Sequence, residues 1–242
     1  MKFSNILSST HFKASALLTI TLGVICTAWQ PFGSAAEVVT IIAPPAIDAP
    51  KTTATTQTAV IAGGCFWGVQ GVFEHVKGVK KVVSGYAGGD KESANYDDVS
   101  TGKTGHAESV QITFDPKEVS YGKLLQIYFS VAHDPTKLNR QGPDTGTQYR
   151  SAIFYTDETQ KNIAQTYVAQ LNKSKAFSKE IVTRIDPIKT FYPAEAYHQD
   201  FLVHNPTHVY IMINDLPKVE NLKATFPNNY REKAILTTGA SS

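Results

Sequence analysis

The sequence predicts an α+β fold, in which one mixed sheet is covered by helices. Short apolar or alternating segments are typical of strands, and longer segments with apolar residues three and four apart are typical of helices. The two kinds of segment do not alternate strictly, which favours α+β over a regular α/β arrangement. The chain has 242 residues, 42% of them hydrophobic and 18% charged, which suits one globular domain with short appendages.

Five segments have the pattern of strands. They are residues 59–62, 81–87, 110–114, 152–155 and 181–185. The first strand runs into Gly63 and Gly64, and a helix is expected directly after these glycines. Its apolar face consists of Val69, Val72, Phe73 and Val76.

Three more helices are predicted from the residues at which they begin. Ser120 can cap a helix, and Asp157 with Gln160 three residues later forms a capping pair. Pro193 suits the first position of a last helix. Together these elements predict a single catalytic domain, built as a two-layer sandwich of the ferredoxin-like plait type.

The N-terminus has the layout of a secretory signal peptide. Lys2 and Lys13 precede an apolar run at residues 14–29 that carries no charge, and small residues follow at 34–36. We therefore expect residues 1–36 to be a signal peptide or, if it is not cleaved, a membrane anchor. The protein is expected to be exported, either as a periplasmic or secreted protein or, with the anchor kept, as a membrane-anchored one.

Two segments flank the expected domain at residues 59–230. Residues 37–58 are rich in Pro, Ala and Thr and lack a sustained periodicity, which predicts an extended linker. Residues 231–242 are expected to be a flexible tail.

Charge argues against nucleic acid as a partner. The chain carries 23 basic and 21 acidic residues, and removing residues 1–36 takes away Lys2 and Lys13 and no acid, so 21 of each remain. Basic residues also form no run interleaved with aromatic ones.

The sequence contains two cysteines, Cys26 and Cys65, and the first lies in the predicted signal segment. The exported domain would therefore hold one thiol and no internal disulfide. A lone exported cysteine is a passive buried residue, an intermolecular link or a reactive thiol.

The neighbours of Cys65 favour reactivity. Residues 63–68 read GGCFWG and place Cys65 between a strand and a helix. Free N–H groups at a helix N-terminus favour a thiolate, so this position is expected to lower the pKa of Cys65. The alternative is a small core cysteine beside two core aromatic residues.

Four further stretches follow in order: NYDDVSTG at 95–102, TGHAE at 104–108, RQGPDTGTQYRS at 140–151 and YPAEAYHQ at 192–199. Together with Cys65-Phe66-Trp67, and at these spacings, the sequence closely resembles the peptide methionine sulfoxide reductase A family. The resemblance covers residues from about 60 to about 230.

The resemblance implies a role for each of seven residues. Cys65 would attack the sulfoxide sulfur, and Glu108 would be the general acid that protonates the oxygen, which requires a raised pKa. Tyr96 and Tyr149 would hold the sulfoxide oxygen. The remaining substrate-binding residues would be Phe66 and Trp67, which cradle the methyl group, and Asp144, a further polar residue of the pocket.

The resemblance also implies the S epimer of the sulfoxide as substrate and a Cys65 sulfenic acid as intermediate. Residues 228–242 lack the second cysteine that many family members use, so an external thiol such as a thioredoxin would regenerate Cys65 in this repair of oxidised proteins. We expect no metal or other cofactor, and a monomer.

Other interpretations remain open from the residues alone. A cysteine hydrolase or acyltransferase would pair Cys65 with His106 or His198. A non-catalytic binding module would use the aromatic residues only as an apolar groove. A metal site at Glu195, His198, His204 and His208 is disfavoured because Pro206 breaks helical spacing between the last two histidines. The role of His198 stays undecided.

Overall fold

The computed structural model describes residues 39–237. The predicted signal peptide or anchor at 1–36, Cys26 and the last five residues lie outside this range. Among the described residues, none of the helices combines the length and apolar character needed to cross a bilayer.

The described residues form one mixed sheet with the strand order β7-β6-β1-β3-β2-β8. All neighbouring strands in it are antiparallel except β6 and β7, which are parallel. A short hairpin of β4 and β5 lies apart from it. The strands are β1 Gln57–Gly63, β2 Val79–Ala87, β3 Ala107–Phe114, β4 Arg140–Gln141, β5 Asp144–Thr145, β6 Ser151–Tyr155, β7 Arg184–Pro187 and β8 Phe191–Pro193.

Six α-helices connect or follow these strands within residues 39–237. They are α1 Phe66–Glu74, α2 Tyr96–Ser100, α3 Tyr121–Ile127, α4 Glu158–Lys173, α5 Phe201–His204 and α6 Leu216–Thr225. Two predicted caps are confirmed: the Ser120 hydroxyl accepts from the Lys123 N–H at 3.1 Å, and the Asp157 carboxylate accepts from the Gln160 N–H at 2.8 Å. Single π-helical turns extend α3 at Tyr128–Ala132 and precede α6 at Ile211–Asp215.

The helices pack on one face of the sheet. Side chains alternate between the two faces along each strand, so every second residue of a strand points to the helices. On β3, Val110, Ile112 and Phe114 face the main core together with the apolar side chains of α1, α3 and α4. The opposite face carries a smaller cluster, to which β1 contributes Val60 and Ala62. The expected mixed sheet with helices, in a single domain, is therefore confirmed.

One predicted helix start is wrong. Pro193 ends strand β8 instead of beginning a helix, because residues 191–193 pair with the edge of β2. Proline lacks an N–H and is tolerated at the end of such an edge strand. The last helix is α6, whose apolar pattern the sequence analysis did not single out.

Part of the expected linker is attached to the domain. Ile42 is only 5% exposed and packs in the main core, and its carbonyl accepts from the Gln126 side chain at 2.9 Å. The Ala43 carbonyl accepts from the Tyr167 hydroxyl at 2.7 Å. Residues 39–49 carry no helix or strand, as an extended segment should, yet they lie against α3 and α4 rather than free of them.

The first part of the expected tail is also held. The Arg231 N–H donates to the His75 carbonyl at 2.8 Å, and the Thr237 N–H donates to the Asp200 carboxylate at 2.9 Å. Residues 231–237 therefore lie against the end of α1 and are held there by hydrogen bonds.

We predict that Ile42→Ala lowers the free energy of unfolding by about 2 kcal/mol, because it removes a buried side chain from the core. Ile41→Ala is the matched control, since Ile41 is 84% exposed and should have almost no effect. Urea denaturation of both variants gives the comparison. Equal stability of the two variants would contradict the attachment of this segment.

Candidate active site

Cys65 lies at the junction of β1 and α1 and is the N-cap residue of the helix. Gly64 precedes it with a φ of +89°, and a Cβ there would lie 2.5 Å from Cβ of Gln141. Glycine is required because neither the positive φ nor the close approach tolerates a side chain. This turn sets Cys65 at the head of α1, where the side chain is 8% exposed.

Glu108 lies inside β3, not just before it, and its position in the strand decides where it points. It has the same parity as Val110 and Ile112, so its carboxyl faces the helix-covered side of the sheet. There its Oε2 accepts from the Phe66 N–H at 3.1 Å. The acid predicted as proton donor is therefore bonded to the residue directly after Cys65.

Burial raises the pKa of Glu108 to about 8, since only 3% of the residue is exposed. The Phe66 N–H bond opposes this shift, and the nearby carboxylates Asp144 and Asp215 add to it. At neutral pH the carboxyl is therefore mostly protonated. A neutral acid at this place can donate a proton, as the predicted role requires.

The predicted lowering of the Cys65 pKa is wrong. Burial raises the pKa of the Cys65 thiol well above its usual value, and the charges of Glu108, Asp215 and Asp144 raise it further. The Trp67 backbone N–H at the helix terminus lowers it, but by less than burial raises it. The resting protein thus holds a thiol, because desolvation outweighs the helix N-terminus.

The two aromatic residues after Cys65 form a wall. Phe66 is buried and Trp67 is half-buried, with its ring stacked on Phe201 at 3.8 Å between centroids. The Trp67 indole N–H donates to Nδ1 of His198 at 3.2 Å. The wall is apolar and fixed in orientation, as a slot for a thioether methyl group needs.

Tyr96 and Tyr149 lie close enough to Cys65 and Glu108 for the charges of these two groups to act on both phenols. Both rings are half-buried, and burial together with the charge of Glu108 raises the pKa of each phenol. The backbone N–H of Tyr96 donates to Glu195 Oε1 at 2.9 Å, which fixes the start of α2. Both hydroxyls therefore stay protonated and can donate hydrogen bonds.

Asp144, in β5, is half-buried and accepts a hydrogen bond from the Tyr210 hydroxyl. It lines a small cavity beside Cys65. Burial raises the pKa of Asp144, while the Tyr210 bond and the charge of Lys218 lower it. The structure thus places all seven predicted site residues around one thiol.

Sequence reasoning missed the segment that forms the other wall of this cavity. Tyr210, Asn214 and Lys218 line it, and Asp215, which is fully buried, pairs with Lys218 at 3.5 Å. The one local signal is Gly68 in α1, where a Cβ would collide with the Asp215 carboxylate. The sequence suggested Glu195 only as a metal ligand, whereas its carboxylate accepts from the Tyr96 N–H.

The histidines do not form the pair that a cysteine hydrolase needs. His106 bonds to the backbone of Gly89 and Asp90. His198 accepts from Trp67, its ring lies 4.5 Å from that of Tyr96, and burial lowers its pKa. His198 is thus a neutral residue that orients the aromatic wall. Within residues 39–237, no three His, Cys, Asp or Glu side chains are placed to hold a metal ion.

Comparison with known proteins agrees with the site. The family model described as peptide methionine sulfoxide reductase matches residues 57–230. The chain belongs to this family. It is 65% identical over 187 residues to peptide methionine sulfoxide reductase MsrA 2 of Mesorhizobium japonicum, covering 77% of this chain and 96% of that protein. It is 49% identical over 197 residues to MsrA 2 of Synechocystis sp., covering 80% and 92%.

Solved structures agree with this assignment of the reductase. The reduced form of Mxr1 from Saccharomyces cerevisiae is 33% identical, with a TM-score of 0.57 over 66% of this chain and 91% of that one. Methionine sulfoxide reductase A of Corynebacterium diphtheriae is 35% identical, with a TM-score of 0.55 over 64% and 77%. The chain is a peptide methionine sulfoxide reductase, and the hydrolase and binding-module interpretations are not favoured.

We predict that Glu108→Gln lowers the rate of sulfoxide reduction about 10²–10⁴-fold, because the amide cannot donate the proton. The wild-type rate should fall as pH rises through about 8, where Glu108 ionises. Removing the Glu108 charge should also lower the pKa of Cys65. Rates of methionine formation, and of Cys65 alkylation against pH, give both effects.

Glu220→Gln is the matched control, since Glu220 is exposed on α6 and should leave both profiles unchanged. Retention of the wild-type rate in Glu108→Gln would rule out the proton-donor role.

Proposed function

We propose that this chain reduces the S epimer of methionine sulfoxide, free or in peptides and proteins, through a sulfenic acid on Cys65. One observation carries the proposal: the Phe66 N–H donates to the Glu108 carboxyl at 3.1 Å and so holds the acid beside the cysteine. A sulfoxide bound here would have a nucleophile at its sulfur and a neutral acid at its oxygen. No other buried carboxyl in residues 39–237 is bonded to a backbone group adjoining Cys65.

Oxygen transfer balances in protons and electrons. Glu108 gives its proton to the sulfoxide oxygen, and the Cys65 sulfur attacks the sulfoxide sulfur as a thiolate. The S–S bond formed in this attack and the substrate S–O bond then break as the OH group passes to the Cys65 sulfur, which leaves methionine and a Cys65 S–OH. The substrate sulfur thereby gains two electrons and the cysteine sulfur loses two. The proton that leaves the thiol replaces the one that Glu108 gave, so the acid is restored.

The surrounding side chains select and hold the substrate. Phe66 and Trp67 give the methyl group an apolar surface. Tyr96 and Tyr149 donate hydrogen bonds to the oxygen, on which negative charge develops until the proton arrives. Asp144 orients Tyr210 at the polar side of the pocket.

Regeneration needs two external thiols. The first attacks the sulfenic acid, releases water and leaves a mixed disulfide with Cys65; the second frees Cys65 and leaves an external disulfide. A protein dithiol of the thioredoxin class supplies both. This proposal is supported by the sequence, in which Cys65 is the sole cysteine after residue 36.

We also propose export of the protein, as a monomer, to the periplasm or beyond, with residues 1–36 as signal or anchor. The apolar run at 14–29 supports this. For the fold, we propose a ferredoxin-like plait. The central strand order β6-β1-β3-β2, with α1 between β1 and β2 and α3 between β3 and β6, supports it.

Without thiol, the full chain should form one methionine per protein chain from a methionine sulfoxide peptide. With dithiothreitol, it should turn over repeatedly. Cys65→Ser should abolish both, because no other atom in the pocket can accept the oxygen. Cys26→Ser is the matched control and should retain both activities. Thiol-independent or hydrolytic turnover by Cys65→Ser would overturn the proposal.

A further inference from the structure

A small polar cavity lies beside Cys65, and the aromatic substrate residues and Glu108 do not line it. Cys65, Asp144, Tyr210, Asn214 and Lys218 line it. Phe66, Trp67, Tyr96, Tyr149 and Glu108 are not among its lining residues. The cavity therefore joins Cys65 to a set of polar side chains, of which Asp144 is also a predicted substrate-binding residue.

The cavity has room for a single oxygen atom or water molecule. Its volume is about 10 Å³, close to the smallest space that holds one water. It is closed behind by the pair of Asp215 and Lys218, whose residues are 0% and 6% exposed. A peptide or a reductant cannot enter it.

The wall of this cavity carries an acceptor without a donor. Oδ1 of Asn214 is buried and has no hydrogen-bond partner, whereas its Nδ2 donates to the Tyr210 carbonyl at 3.1 Å. This bond fixes the amide, so its oxygen is presented as an acceptor. A buried acceptor left unpaired is unfavourable, which makes the site selective for a group that can donate.

The chemistry of the proposed function produces such a group on Cys65. Without a second cysteine after residue 36, the sulfenic acid must persist until an external thiol arrives. During that time, further oxidation to the sulfinic acid would inactivate the enzyme irreversibly. An S–OH group is one oxygen atom with one proton, which fits both the size of the cavity and its acceptor.

We propose that this cavity is the binding site of the Cys65 sulfenic acid, whose O–H donates to Oδ1 of Asn214 after the oxygen turns away from Glu108. The proposal rests on the proposed function, since it needs the sulfenic intermediate. The Lys218 ammonium on the same wall offsets negative charge on the oxygen. The turn also clears the substrate pocket for release of methionine.

Asn214→Leu tests the proposal, because leucine has a similar volume and no acceptor. Each full-length variant is oxidised with a methionine sulfoxide peptide in the absence of thiol, and the methionine formed is counted. Excess hydrogen peroxide is then added, and conversion of sulfenic to sulfinic acid is followed by intact mass. We expect conversion to be about five-fold faster in Asn214→Leu than in the wild type, per sulfenic acid formed as counted by the methionine released.

Asn228→Leu is the matched control, since Asn228 is exposed and does not line the cavity, and it should behave as wild type. Wild-type conversion rates in Asn214→Leu would overturn the proposal. Absence of methionine formation in the wild-type chain would instead refute the proposed function, so the two failures are distinguishable.

A second measurement needs no variant and covers the case that Asn214→Leu does not fold. The wild-type chain is crystallised after one turnover without thiol. A sulfenic oxygen within hydrogen-bond distance of Oδ1 of Asn214 supports the proposal. An oxygen on the Glu108 side of the sulfur overturns it.

Discussion

The site depends on keeping one carboxyl group out of water next to a cysteine. Strand β3 carries Glu108 to the helix-covered face of the sheet, and the first N–H of α1 binds it there. That hydrogen bond favours the ionised form, but burial favours the neutral form more strongly, and the pKa rises to about 8. The sheet and the helix thus determine together that a protonated carboxyl lies next to Cys65.

The same burial controls the cysteine, in the direction opposite to the one predicted from its neighbours. A helix N-terminus acts through a few partial charges, whereas burial removes water and the nearby carboxyl groups bring whole charges when they are ionised. When Glu108 is neutral its repulsion of a thiolate disappears. The thiolate form of Cys65 is therefore most favourable when Glu108 is protonated. This coupling makes the nucleophile and the proton donor available together.

Local sequence patterns predicted the parts of the site that are set by local structure. The GGCFWG motif placed Cys65 between a strand and a helix, and the family's spacing placed Glu108, Tyr96 and Tyr149 beside it. Asn214 and Lys218 gave no such signal, because their place at the cavity depends on α6 packing against α1 across more than a hundred residues. The attachment of residues 39–49 was missed for the same reason: a segment without periodicity can still be held by the hydrogen bonds of its neighbours.

The cavity wall also bears on how the enzyme completes its cycle. A resolving cysteine on a mobile tail would have to displace whatever covers the active-site sulfur. Here residues 210–218 are fixed instead, by the Asp215–Lys218 pair behind α1 and by the Tyr210 bond to Asp144. The wall can therefore stay in place from oxygen transfer through regeneration. Only the cysteine side chain has to turn, and the external thiol must approach from the substrate side once methionine has left.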